Sequence, residues 1–371
     1  MATIKLKQNI VLFIDVPDID NFIAALAVQK LFNPEFLHIV LTGRPTNLKH
    51  ECILPQEFIS RLKSGESISS LLKRKSGEID STTDGRAVLI DGAARLSIFL
   101  QQCNINTKNL KIYDGGIAPS APVSHSIHSR DFLFFDEKNR VITPESYYDR
   151  LEELNQMSPE DRRESILKNL KSYKMFSLAE LEKLDPRHYT WLVGGPLTAV
   201  NQLYKRNIYP QKLIMMGGAH DNGKENSSNL FDNQFNFAAD LDAVKELLCV
   251  PAPIAIDLIS TETCKNSLLQ LTPSILEKNN CIPIVKKLYD LWFVIGGKRP
   301  FCIFDIAPVL AYYNHNIYKF VNKKCVWNDP YVQFVECTNY SNVKLSSKTS
   351  CNFTLILQIL MKILKNYAFT D

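Results

Sequence analysis

Ile10-Val11-Leu12-Phe13-Ile14-Asp15-Val16-Pro17-Asp18-Ile19-Asp20-Asn21 is the stretch on which the reading of this chain turns. An apolar run ends in three carboxylates and an amide, and Phe22-Ile23-Ala24-Ala25-Leu26-Ala27-Val28 follows with helical character. A strand therefore ends in an acidic turn at the mouth of a helix. Carboxylates this close repel by about 1 kcal/mol per pair at 4 Å in water, and more when desolvated. Such a cluster persists if it stays solvated, if some members hold protons, or if a cation sits among them. Oxygen ligands of this kind suit Ca²⁺ or Mg²⁺. Asp and Asn also cap helix N-termini, which accounts for one or two of the four polar residues and leaves the others over.

Outward from this turn, the next apolar run is Phe36-Leu37-His38-Ile39-Val40-Leu41-Thr42, stopped by Gly43-Arg44-Pro45. Strand, helix and strand in such short order form a βαβ unit, which predicts a parallel sheet. Runs of the same form end at Gly115-Gly116, Gly194-Gly195 and Gly217-Gly218, and a sixth covers 253–259. Helical patterning covers 87–100, 198–206, 241–248 and 353–364. The last of these is short and interrupted by Gln358 and Lys362, so it reads as a packed helix rather than a membrane span. The expectation is an α/β fold, one domain over 1–371, with a mostly parallel central sheet flanked by helices. Two polar stretches, about 51–86 and 132–186, read as insertions. The first is an insertion or mobile surface segment; the second is helical, with Ser158-Pro159-Glu160-Asp161 as a helix start.

Composition sets outer limits. Hydrophobic content of 45% and charged content of 22% over 371 residues are those of a globular protein. A net charge of +4 announces neither a nucleic-acid nor a membrane surface. Nine cysteines lie singly with no CxxC pair, which argues against zinc and suits a reducing compartment. Residues 1–8 lack the apolar core of a signal peptide, so the expected location is cytoplasmic, with the nucleus open.

In open parallel sheets ligands bind beyond the carboxyl ends of the strands. Asp15, Arg44, Gly116, Gly195 and Gly218 would converge there. The loop 217–229 and the Gln234-Phe235-Asn236 segment after it are dense in amides, which both donate to and accept from sugar hydroxyls. Asp305 stands alone in an apolar run and needs a partner if buried, a helix N-cap being the alternative. The chain has no GxxxxGK[ST] loop, no GxGxxG and no GxSxG elbow.

With these pieces in order, the chain resembles the inosine-uridine-preferring nucleoside hydrolase family over residues 8–340. The acidic turn Asp15 to Asn21 is similar to the family's Asp-x-Asp-Pro-Gly-x-Asp-Asp, and Gly43-Arg44 to its Gly-Asn. His128-Ser129-Arg130 stands at its His-Gly-x-x-Gly, and Gly195-Pro196-Leu197-Thr198 at its Gly-Pro-Leu-Thr. Met216-Gly217-Gly218, Gln234-Phe235-Asn236 with Asp240, and Phe304-Asp305 complete the order.

The resemblance implies hydrolysis of the N-glycosidic bond of a ribonucleoside or related ribosyl compound, within purine or pyrimidine salvage, by a family of homo-dimers and tetramers. It implies one Ca²⁺ held by Asp15, Asp20 or Asn21, the Thr198 carbonyl and Asp305, with Asp15 in the chemistry; Asp18, absent from the usual motif, is the candidate to restore the missing carboxylate there. Asn229, Gln234 and Asn236 would hold the ribose, and His128 and Phe304 would face the substrate. Arg44 in place of the family asparagine hints at a phosphorylated substrate, since Arg forks onto phosphate oxygens; an ordinary strand-end arginine is the alternative. The partner implied is a small nucleoside or nucleotide, not a nucleic acid or a membrane. The turn is one residue short, and Asn21, Gln234 and Phe304 stand where the family has Asp, Glu and His. These departures predict weaker Ca²⁺ binding and slower hydrolysis, and leave open a second reading: an impaired enzyme retained for ligand binding or as a scaffold.

Overall fold

Strand β1 (Ile10–Asp15) is buried at every residue, as an uninterrupted apolar run requires when both faces are covered. The computed structural model describes residues 9–16, 18–49, 56–64, 84–120, 133–218, 235–250, 254–266, 269–295, 301–302, 304–328, 331–337, 343–347 and 351–366. Pairing continues through β2 (Leu37–Gly43), β3 (Leu110–Ile117) and the short edge strand β4 (Phe176–Ser177). On the other side stand β5 (Thr190–Val193), β6 (Lys212–Met216) and β7 (Ile256–Ile259). A separate antiparallel pair joins β8 (Gln270–Leu271) to β9 (Phe301–Cys302). The chain closes its main sheet with β10 (Phe320–Asn328), β11 (Tyr331–Val335) and β12 (Val343–Ser346).

Among the described residues the main sheet has ten strands in the order β11-β10-β12-β7-β6-β5-β1-β2-β3-β4. Every pairing from β12 across to β4 is parallel, while β10 runs antiparallel to β12 and β11. The expected α/β fold with a largely parallel sheet is therefore the observed one, and the six expected strands are β1, β2, β3, β5, β6 and β7. The sequence reading missed β4 and the antiparallel edge. Strand β4 is exposed at both residues, and β10 and β12 carry Lys323, Lys324 and Lys344, so these strands lack the continuous apolar run of the central ones.

Side chains alternate across the sheet. Leu12 and Ile14 face a layer containing helices Ile19–Phe32, Gly85–Gln102, Pro283–Ile295 and Phe353–Leu364; Val11 and Phe13 face helices Thr198–Tyr204 and Leu241–Leu248. Helix Ile19–Phe32 is buried all round over residues 19–28, Asp20 and Asn21 included.

Of the stretch 132–186, residues 133–170 fold into the first of these layers, while Leu178 and Leu181 join the second. Its helices Pro144–Gln156 and Pro159–Asn169 bury Tyr147, Tyr148, Leu151, Leu154 and Ile166 in the common apolar cluster. Ser158 caps the second helix, accepting from the Asp161 N–H as the sequence predicts. Buried charges fasten it: Asp91 accepts from Arg95 at 2.6 Å and from the Lys171 N–H at 2.7 Å. Of the stretch 51–86, the described part includes a helix, Gln56–Lys63, and the start of Gly85–Gln102; residues 51–55 and 65–83 lie outside the described residues.

Candidate functional site

The parallel register of β1 and β2 sets Asp15 beside Thr42, and Arg44 follows two residues later at the same end of the sheet. Arg44 Nε donates to Asp15 Oδ2 at 2.8 Å, Nη2 donates to the same oxygen, and Nη2 also reaches Asp18 Oδ2 at 3.3 Å. The other Asp15 oxygen accepts from the side-chain amide of Asn21 at 2.8 Å. Phe235 covers the guanidinium, with Arg44 Cζ 4.3 Å from the ring centroid. Asp15 and Arg44 are buried, 1% and 5% exposed.

Asp18 occupies the N-cap position of helix Ile19–Phe32 in extended conformation, yet its side chain makes no capping hydrogen bond. The capping alternative raised by the sequence thus does not account for it. Asp20, in the first helical turn, looks across to a distant part of the chain: one of its oxygens accepts the backbone N–H groups of Phe304 and Asp305, each at 3.3 Å. That contact brings Asp305 to the rim, where its side chain presses on the β5 end. A Cβ on Gly194 would stand 2.7 Å from Asp305 Cβ, and one on Gly195 2.7 Å from the Asp15 backbone nitrogen. Only glycine allows this approach.

Four carboxyl groups from two distant segments therefore meet in a buried space. Burial, then the charges of Asp18 and Asp305, push Asp20 well above the usual carboxylate range. Burial, then Asp15 and Asp18, push Asp305 up in the same direction, against the opposing pull of the Asp20 hydrogen bond and Arg44. Neighbouring Tyr289 is raised by its burial and by the Asp20 charge. Asp20 Oδ1 and Asn21 Oδ1 are buried with no hydrogen-bond partner among the described residues.

The remaining expected residues divide. Thr198 opens helix Thr198–Tyr204 and donates its hydroxyl to Asp240 at 2.7 Å. Asn236 is 3% exposed and donates to the Gly194 carbonyl, fastening helix Phe235–Ala238 to the β5 end. Phe304 is half-buried, its backbone spent on Asp20. His128, Asn229 and Gln234 lie outside the described residues, as does Pro17. Sequence reasoning missed the Asn21–Asp15 bond, the seat of Arg44 on Asp15 and the place of Tyr289 beside Asp20. The place of the arginine at the rim was legible, since it follows the apolar run next after the one ending in Asp15; its pairing with Asp15 was not.

Against solved structures the fold is matched along nearly its whole length. A purine-preferring ribonucleoside hydrolase from Gardnerella vaginalis has a TM-score of 0.59 at 13% identity, covering 95% of this chain and 97% of its own. An inosine-uridine preferring nucleoside hydrolase from Bacillus anthracis has a TM-score of 0.52 at 14% identity, covering 96% and 100%. The chain has the nucleoside hydrolase fold. The effector protein XOO4466 is similar too, with a TM-score of 0.52 at 11% identity, covering 96% of this chain and 92% of its own. No protein-family model matches the chain, and no curated protein matches it either. At these identities the likeness is one of fold, and a fold does not carry an activity with it.

The cluster as arranged does not fit a resident Ca²⁺. Both oxygens of Asp15 are taken, one by Asn21 and one by Arg44, and the guanidinium brings positive charge to the place a cation would need. Among the described residues no three His, Cys, Asp or Glu side chains are disposed to hold a metal ion.

Proposed function

We propose that the chain hydrolyses the N-glycosidic bond of a ribonucleoside or related ribosyl compound at the Asp15–Asp18–Asp20–Asp305 cluster. The observation that carries this reading is the meeting of these four carboxyl groups at the carboxyl ends of β1 and β5, the end at which parallel sheets bind ligands. The likeness to the two hydrolases above supports it at the level of fold.

Breaking the bond from C1′ to the base nitrogen sends the electron pair to the base and leaves oxocarbenium character on the ribose. Negative charge fixed nearby stabilises that charge as it develops. Water then adds to C1′, one of its protons passing to a carboxylate, and the departing base gains a proton; ribose and free base result. Asp18 is the carboxylate assigned to that proton, being the least buried of the acids near Arg44 at 14% side-chain exposure. Asp15, tied at both oxygens, positions Arg44 and Asn21 rather than meeting water. Since Arg44 is committed to Asp15 and Asp18, an unphosphorylated ribosyl compound suits the site better than a nucleotide. Phe304 would lie against the base, and Asn236, with Asn229, Gln234 and His128, would complete the ribose contacts.

A second reading is favoured by one observation, the guanidinium within the acid cluster. It casts the protein as a ligand-binding or scaffold protein that has kept the fold without turnover. Incubation with ribonucleosides, nucleotides and NAD, in EDTA and in Ca²⁺, followed by chromatography for free base, separates the two. Free base supports hydrolysis. Thermal stabilisation by a ribonucleoside with no base released supports binding alone, and neither response with any compound removes both.

A further inference from the structure

We infer that the guanidinium of Arg44 is the resident cation of this acid cluster, standing where the resemblance expects Ca²⁺, so that the site is held together without a divalent metal. The inference rests on reading this rim as the ligand site and concerns what keeps it in order.

Four carboxyl groups crowded in a buried space repel strongly unless a positive charge or protons intervene. Arg44 supplies the charge in a form unlike an ordinary surface arginine. It is 5% exposed, donates twice to Asp15 and once to Asp18, and is covered by the Phe235 ring. An arginine is always protonated and its planar fork matches a carboxylate, so the counter-charge is covalently part of the chain and independent of metal supply. Asn21 fits the same arrangement. An aspartate there would add a fifth carboxylate beside Asp15, whereas the amide donates to Asp15 and completes its coordination. The two departures from the family pattern, Arg44 and Asn21, thus act on the same carboxylate from opposite sides.

The arrangement also says what removal of the guanidinium should produce. Asp20 Oδ1 and Asn21 Oδ1 are buried acceptors with no donor among the described residues, beside Asp15 and Asp305. Oxygen groups of this number and kind suit Ca²⁺. Without the guanidinium the cluster loses its counter-charge and becomes a cation site in need of a cation.

The test uses the full chain, with Ca²⁺ as the probe in calorimetric titration and in thermal melts against EDTA. Wild-type protein is expected to show no saturable Ca²⁺ binding and the same melting temperature in both buffers. Arg44→Asn is expected to melt lower in EDTA, to recover in Ca²⁺, and to bind Ca²⁺ at least roughly tenfold more tightly than wild type. Micromolar Ca²⁺ binding by the wild type overturns the inference, as does a folded Arg44→Asn that ignores Ca²⁺. If that variant does not fold, a double-mutant cycle with Asp15→Asn and Arg44→Gln decides: losses that do not add support the pair, and simple additivity overturns it. Base release is followed in parallel. Its absence in every buffer sinks the hydrolase reading and leaves the role of Arg44 standing, whereas release that requires Ca²⁺ does the reverse.

Discussion

Gly194 and Asp305 stand in direct contact: a β-carbon on the glycine would lie 2.7 Å from the aspartate's Cβ and 3.1 Å from its Cα. Real β-carbons do not approach so closely, and the atoms opposing it include backbone. Gly194→Ala must therefore move the Asp305 segment or the β5 end. Forcing an extra carbon into a packed interior costs about 1–3 kcal/mol, and here the displaced group is one of the four clustered acids. We expect urea denaturation to register a loss of that size, together with weakened ribonucleoside binding. A variant of wild-type stability that still binds would contradict the contact.

Asp18→Ala separates structure from chemistry. Replacing a true N-cap commonly costs about 0.5–2 kcal/mol, but Asp18 makes no cap bond and sits among like charges. The expected change in stability is below about 1 kcal/mol, while base release falls by roughly a hundredfold or more, as loss of a proton-accepting group does. A large drop in stability with activity retained would show the residue to be a helix cap after all.

Asp240 links the turn that follows Gly195 to the helix Leu241–Leu248. It accepts from the Thr198 hydroxyl at 2.7 Å and caps that helix through the Ala243 N–H at 3.0 Å. Asp240→Ala removes the cap and leaves a buried hydroxyl unmatched, at an expected cost of about 1–3 kcal/mol. Thr198→Val should cost less, because the cap survives. Equal losses in the two variants, measured by denaturant titration, would refute this division.

His38 makes the fold sensitive to acid from the opposite end of β2. Burial, with a smaller contribution from the Lys111 charge, lowers its pKa from 6.5 to about 4, and Nδ1 lies 2.9 Å from the Tyr113 hydroxyl. The folded chain keeps this imidazole neutral where the unfolded chain would already be protonated. Stability is thus full above about pH 6.5 and declines as pH falls toward about 4, by about 3 kcal/mol at most from this residue. Melting temperatures across that window should show the decline, and His38→Gln should flatten it.

The central fold was open to reading because each inner parallel strand is a short apolar run with a sharp end. Ile10 to Asp15 shows why: both faces are covered, so no polar residue interrupts it until the site begins. The antiparallel edge escaped notice because strands such as Phe320–Asn328 face solvent in part and mix lysine with apolar residues. The stretch 132–186 reads as polar, yet its buried aromatic residues join the main apolar layer, an outcome decided by tertiary packing. At the site, composition marked Asp15, Asp20 and Asp305. Pairing was not legible, since nothing local to Arg44 says that its charge is answered by a carboxylate on the neighbouring strand.

Helix Ile19–Phe32, buried without a break over residues 19–28, has a kinetic consequence for the acids at its start. An element enclosed on every side cannot open by itself, because exposing any face means dissolving the core it belongs to. Its amide protons should exchange with solvent only through global unfolding. Asp20 and Asn21 ride on this strut, so their placement carries almost no local fluctuation. A ligand arriving here meets acids whose ordering entropy was settled when the chain folded, and the cost of reorganisation falls instead on the segments that reach the rim from elsewhere.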